Sequence, residues 1–281
     1  MPQVARALKK ALLLALPRGV QMKALAAWPN LRKAAPEGLE FLHPGYLGDV
    51  RIHVNTRYKV ERIMWSGGYE PSLLRFLEQR APTGWICFDV GANVGAITLA
   101  LAKYGGPAAR VHAFEPGPPN LQRLRANLEL NPDLAARVDV VPAGVGDEPG
   151  ELRWREEPDN PGNALLGPEG THAVPVITLD HYAREHALRR VDFIKIDVEG
   201  MELAVMKGAR QTLLQLRPLL YFETLPRYGG LHEGGNFSLI EQWLVQECRY
   251  RLHRLDADGN LHAVEARSFA GYTVAVPAEI K

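Results

Sequence analysis

From residue 85 to residue 223 short apolar runs alternate with stretches of helical periodicity, and that rhythm admits few folds. "WICFDV", "RVHAFEP", "RVDVVPAGVGD", "VDFIKIDVEG" and "RPLLYFE" have the length and composition of strands. Between them "ITLALAKYGG", "PPNLQRLRANLELNP" and "MELAVMKGARQTLLQL" have those of helices. Helical crossovers of this kind join parallel strands, so the pattern predicts a parallel sheet flanked by helices. One stretch breaks the rhythm. "ELRWREEPDNPGNALLGPEGTHAVPVITLD" has too many Pro, Gly and Asn for a helix and predicts a hairpin excursion. After a helix around "FSLIEQWLVQEC", the runs "YRLHRL" and "GYTVAVP", joined through "DADGN", predict a closing antiparallel hairpin. The expected fold class is α/β, doubly wound, with a seven-stranded, mostly parallel, Rossmann-like sheet.

Charge narrows the partners. With 33 basic and 32 acidic residues the net charge is +1, which gives bulk nucleic-acid binding no support. Cys87 and Cys248 match no metal or redox spacing, and a reducing cytoplasm suits them. The first 36 residues differ, carrying Arg6, Lys9, Lys10, Arg18, Lys23, Arg32 and Lys33 and no acid. Their apolar run "ALLLAL" falls short of the roughly 20 residues that span a bilayer, and Pro17-Arg18 ends it early for a signal peptide. Residues 1–60 are expected to form a basic helical extension, a lid or substrate region, with peripheral contact to an anionic membrane face as the alternative. Residues 61–281 are the expected catalytic domain. Oligomeric state is open.

Ligands of doubly wound sheets bind outside the carboxyl ends of the strands, where strand order reverses. Asp89, Glu115, Asp147, Asp197, Glu199 and Glu223 all fall at such ends and together predict a lined crevice. The first strand enters its helix through "CFDVGANVGAIT". A dinucleotide fingerprint, G-x-G-x-x-G, would place glycine where Asn93 stands. Asp89 would repel a diphosphate but favour a cationic ligand. S-adenosylmethionine carries an ammonium, a sulfonium and no phosphate. Gly91 and Gly95 would let its amino-acid end lie against backbone N–H groups at the helix start. Glu115 would accept both ribose hydroxyls. The competing readings are an NAD(P)-dependent Rossmann oxidoreductase and a non-catalytic cofactor-binding module.

"FDVGANVGAITL", "AFEPGPPNLQRLRANLELN", "VITLD" and "DFIKIDVEGMELAVMKGA" resemble the successive motifs of the FkbM-type methyltransferases, a class I S-adenosylmethionine-dependent family. The resemblance runs from about Gly67 to Glu223 and includes "GGYEP" and "NPGNALL". It implies methyl transfer, most often to a hydroxyl of a sugar, glycoconjugate or related natural product. The cofactor-binding set it implies, with the residues read above, is Glu70, Asp89, Gly91, Asn93, Gly95, Glu115, Pro116, Asn120, Ala143, Gly144 and Asp197.

A protonated hydroxyl is a poor nucleophile, so a base or a metal should assist. Asp197 and Glu199 end the fourth strand and are the first candidates for base or hydroxyl orienter; Glu223 and Glu202 follow, with His232 of "GGLHEGG". Asp197 and Glu199 are also the expected ligands of any Mg²⁺, which needs only one or two carboxylates. The plainer role of Glu199 and Glu202 is to brace the glycine turn and the next helix by local hydrogen bonds. Tyr69 and Asn163 could approach the crevice, and Arg153, Trp154 and Arg155 could touch a sugar or simply alternate on an edge strand. His112 is expected as a satisfied sheet residue.

Overall fold

The computed structural model describes residues 38–43, 45–157, 160–166, 170, 172–224, 237–264 and 271–280. The basic stretch 1–37 and His232 lie outside the described residues. The chain divides into two compact units, one of residues 1–71 with 156–163 and one of residues 72–155 with 164–281.

In the first unit, β1 (Glu40–Leu42) and β2 (His53–Asn55) pair antiparallel, and α1 (Lys59–Trp65) follows. Part of the extension expected to be helical is thus a small β-ribbon. Its anchor is Trp65, fully buried, with the Phe41 ring meeting it edge-on at 4.6 Å and His43 at 5.4 Å.

The second unit is built on an eight-stranded sheet. After α2 (Pro71–Arg80) come β3 (Ile86–Val90), α3 (Ala96–Tyr104), β4 (Arg110–Phe114), α4 (Pro118–Glu129), the single turn α5 (Pro132–Ala135) and β5 (Val138–Val141). The excursion holds β6 (Gly144–Val145), β7 (Gly150–Glu157), β8 (Asn160–Leu166) and β9 (His172–Ile177), which form a second sheet of order β6-β9-β7-β8. Then follow α6 (Leu179–Glu185), β10 (Phe193–Ile196), α7 (Glu202–Lys207), α8 (Arg210–Gln215), β11 (Leu219–Thr224), α9 (Phe237–Gln242) with a π-helical turn (Trp243–Glu247), and β12 to β14 (Tyr250–Leu255, Leu261–Ala263, Gly271–Pro277). The main sheet runs β13-β12-β14-β11-β10-β3-β4-β5. Its five expected strands, β5, β4, β3, β10 and β11, are parallel. The chain moves outward from β3 through β5 and then crosses back to β10, so order reverses between β3 and β10.

Three local expectations are corrected. The "DADGN" turn returns β12 onto β13 rather than onto "GYTVAVP", because the Asp256 carboxylate closes it by accepting Asp258 N–H and Asn260 N–H at 2.9 Å each. The strand that raises seven to eight is the short β13, on the outer side of β12; "GYTVAVP" is β14, which pairs antiparallel with β12 as expected and lies between it and β11. The helix expected over "MELAVMKGARQTLLQL" is two. Gly208 passes so close to the loop after β6 that a Cβ there would sit 2.0 Å from the Gly146 carbonyl, and Asp180 caps α8 through Gln211 N and Thr212 N. Helix α6, unforeseen, starts on Thr178, whose hydroxyl accepts His181 N–H at 3.2 Å.

The core of this unit packs Phe88, Phe114, Tyr182, Ile194, Ile196, Leu213 and Phe222 between sheet and helices. Full burial of such a side chain contributes about 1.5–3 kcal/mol. His112, 5% exposed, makes a 2.9 Å hydrogen bond with the Tyr182 hydroxyl, and its burial lowers its pKa.

Candidate active site

The turn after β3 is held by the neighbours of that strand. Gly91 N–H and Ala92 N–H both donate to the Phe114 carbonyl at 3.0 Å, and Asp197 N–H donates to the Val90 carbonyl at 3.1 Å. Gly91, Asn93 and Gly95 all take positive φ, at 78°, 51° and 85°. At Gly91 the requirement is absolute, since a Cβ would stand 2.0 Å from the Asp197 carbonyl oxygen. Asparagine tolerates the left-handed region better than other side chains, which suits it to position 93.

Glu115, at the end of β4, faces this turn. One carboxylate oxygen accepts Asn93 N–H at 2.8 Å; the other accepts Gly117 N–H at 2.8 Å and lies 3.5 Å from the Asn120 amide nitrogen. Burial raises its pKa, and the two amides, Asn120 and the charge of Lys195 oppose that shift. A carboxylate offers about four lone-pair sites. Three are taken by Asn93 N–H, Gly117 N–H and the Asn120 amide, which leaves one, on the oxygen that accepts Asn93 N–H, for a ribose hydroxyl. Asn120 is buried behind Glu115, and Pro116 follows it at the start of the loop. Ala143, buried, and Gly144, which opens β6, lie after the neighbouring strand β5. These groups fit a nucleoside held at the carboxyl ends of β3, β4 and β5.

Asp89 is not positioned as the charge argument required. It is 0% exposed, its Oδ2 accepts the Thr98 hydroxyl at 2.6 Å, and its Oδ1 lies 3.4 Å from the Lys195 ammonium. The cation that Asp89 meets is internal. Lys195, 3% exposed on β10, was not singled out from the sequence. It donates to the Gly91 carbonyl at 2.6 Å and stands 3.6 Å from Asp197 Oδ2. The signal that could have found it is a lysine inside "FIKI", an otherwise apolar buried parallel strand.

The register brings the acids of β10 and β11 together. Ile196 pairs with Phe222, so Asp197 and Glu223 emerge side by side beyond them. Glu223 shares a hydrogen bond with Asp197; burial, then the charges of Asp197, Glu199 and Glu202, push its carboxyl up to about 8. Glu199 belongs to this group and has a left-handed backbone, φ 53°. Glu202 plays the bracing role. Its Oε1 accepts Gly200 N–H at 3.1 Å and Val198 N–H at 3.3 Å, and burial pushes its carboxyl up to about 7. Among the described residues no three His, Cys, Asp or Glu side chains stand in metal-holding geometry.

The remaining candidates belong to other elements. Glu70, with φ 46°, belongs to the first unit. Asn163 lies on β8, but its side chain is outside the described residues. Arg153 and Arg155 are exposed on β7 while Trp154 is buried and stacks on His172 at 5.1 Å, the alternation of a half-buried strand.

The family profile described as the methyltransferase FkbM domain matches residues 89–252. Methyltransferase sdnD of Sordaria araneosa is 30% identical over 177 residues, 51% of this chain and 67% of its own length. Hexuronic acid methyltransferase AglP of Haloferax volcanii is 28% identical over 51% of this chain, which spans 58% of that relative, less than two thirds. The 2-O-methyltransferase NoeI of Sinorhizobium fredii is 25% identical over 61% of this chain and 78% of its own length.

Proposed function

The chain belongs to the FkbM family of S-adenosylmethionine-dependent methyltransferases, and from that premise we propose that it methylates a hydroxyl oxygen of a sugar, a glycoconjugate or a related natural product. The observation that carries the oxygen-directed reading is the Asp197–Glu223 carboxyl pair, which can orient an acceptor hydroxyl and take its proton. The relatives named for a hexuronic acid and for 2-O-methylation support a carbohydrate-like acceptor.

The bound cofactor supplies an electrophilic methyl carbon on a sulfonium. The protein has to hold an acceptor oxygen in line with that carbon, a positioning effect worth about 7–11 kcal/mol. In this reading Glu115 fixes the ribose end, and the amino-acid end lies against the left-handed Gly91–Gly95 turn, whose Gly91, Ala92, Asn93 and Gly95 amides are themselves tied down within the protein. Asp197 holds the hydroxyl, while Glu223 and Glu199 set the charge around it. General-base assistance adds about 10²–10⁴-fold. Mg²⁺ on Asp197 and Glu199 is a separate proposal, read out by the effect of EDTA on turnover.

The test is titration calorimetry with S-adenosylhomocysteine beside NADH, then incubation with S-adenosylmethionine and hexuronic acids, glycosides and non-sugar alcohols. Micromolar binding of the homocysteine product and a mass gain of one methyl group on a glycoside are the expected results. Binding of NADH alone would sink the reading, and methylation at nitrogen or carbon only would remove its oxygen-directed part.

A further inference from the structure

A lysine buried in the middle strand of a sheet is costly unless its charge is met and its protons are accepted. Lys195 satisfies both conditions, through groups of the cofactor turn, of β3 and of the end of β10. Its ammonium lies 3.4 Å from Asp89 Oδ1 and 3.6 Å from Asp197 Oδ2, and donates to the Gly91 carbonyl at 2.6 Å and the Val90 carbonyl at 3.4 Å. The parallel register sets Lys195 directly beside Asp89.

A buried ion pair is by itself weak evidence for stability, since apolar residues of similar volume often serve as well. What this one adds is orientation. The Gly91–Ala92 peptide has its carbonyl on Lys195 and its N–H on the Phe114 carbonyl at 3.0 Å, so its plane is fixed at both ends. One residue on, Asn93 N–H is set against Glu115. The same ammonium reaches the carboxylate of Asp197, on the strand end across the point of reversal.

We infer that Lys195 is a positioning residue for the cofactor turn, its ammonium pinning the Gly91 carbonyl to the strand end that carries Asp197. The inference rests on the reading of that turn as an S-adenosylmethionine site. It reverses the part given to Asp89: the acid serves as the counter-charge of the pin and does not itself attract the cofactor's cation.

The experiment is calorimetric titration of the full chain with S-adenosylhomocysteine, with thermal melting of each variant in parallel. Lys195→Met is expected to lose at least tenfold in affinity. Asp89→Asn, which removes the counter-charge but keeps a partner for Thr98 and leaves Lys195 on the carbonyls, is expected to lose less affinity than Lys195→Met. Lys195→Arg, which retains a cation with N–H donors, is expected to recover most of the affinity lost in the methionine variant. Should the stranded Asp89 carboxylate keep Lys195→Met from folding, Asp89→Asn/Lys195→Met removes both charges and takes its place, with the same loss expected. Full affinity in the methionine or double variant overturns the inference, as does an arginine variant no better than methionine or a loss confined to Asp89→Asn. An unsubstituted chain that binds no S-adenosylhomocysteine sinks the functional reading itself, and the pin falls with it.

Discussion

Two carboxylates in this protein are held for opposite ends, and each carries a prediction. Glu115 is kept in place by two backbone amides and Asn120, with a lone pair remaining on the oxygen that accepts Asn93 N–H. Glu115→Gln keeps the shape but loses the charge-assisted acceptors, each worth about 1.5–3 kcal/mol. S-adenosylhomocysteine affinity should fall about 10- to 100-fold by calorimetry, and an unchanged affinity would remove Glu115 from the ribose site. Glu223 is held protonated. Burial first, then the charges of Asp197, Glu199 and Glu202 and a hydrogen bond with Asp197, raise its carboxyl to about 8. Because the folded state holds this proton more tightly than the unfolded chain, the stability it confers is complete below the ordinary carboxylate value. That stability is lost as pH rises toward 8. Glu223→Gln should flatten the decline in melting temperature between pH 5 and about 8; parallel slopes for the two proteins would show that the proton is not held there. The acids were legible as strand ends. Lys195 was not, because its importance depends on which strand lies beside it, and no sequence pattern states that Lys195 and Asp89 are neighbours.

At the scale of the element, the strand–turn–helix unit β3–α3 was the clearest object in the sequence, for a physical reason. A buried strand followed by glycines and then helix formers has few ways to continue, and the structure uses the left-handed turn that such residues permit. Gly91→Ala tests how strict that geometry is. The added methyl meets a backbone carbonyl at 2.0 Å, which cannot rotate away as a side chain would. Circular dichroism melts should show a loss of several degrees, and S-adenosylhomocysteine binding should disappear. A variant that melts and binds like the parent would mean that the turn relaxes without consequence. Shorter elements escaped notice. Helix α6 spans seven residues and β13 three, too few for periodicity to register. The split between α7 and α8 comes from a close approach of Gly208 to Gly146, a tertiary fact.

For the molecule as a whole, parallel alternation announced the fold class, but not the order of strands at the sheet's antiparallel edge. "GYTVAVP" pairs antiparallel with β12 as the sequence suggests, but whether it lies on the inner or the outer side of that strand is set only by long-range packing, which places it between β11 and β12. That choice bears on how the site is coupled to the fold. The cofactor turn bonds to the Phe114 carbonyl of β4 and to Lys195 of β10, and Val90, its entry, accepts from Asp197. Loosening it therefore means opening the centre of the sheet, so a ligand bound there should stabilise the unit of residues 72–155 and 164–281 rather than a local loop. At a concentration near 100 times its dissociation constant, a ligand of the folded state adds about 2.7 kcal/mol. For a domain of this size that corresponds to roughly 5–10 °C. Scanning calorimetry with S-adenosylhomocysteine should move the main transition by that amount, and Glu115→Gln should blunt the shift at the same ligand concentration. Tight binding that leaves the main transition where it was would show the turn opening independently of the sheet, and the coupling through Lys195 and Phe114 would not be the one that holds the site.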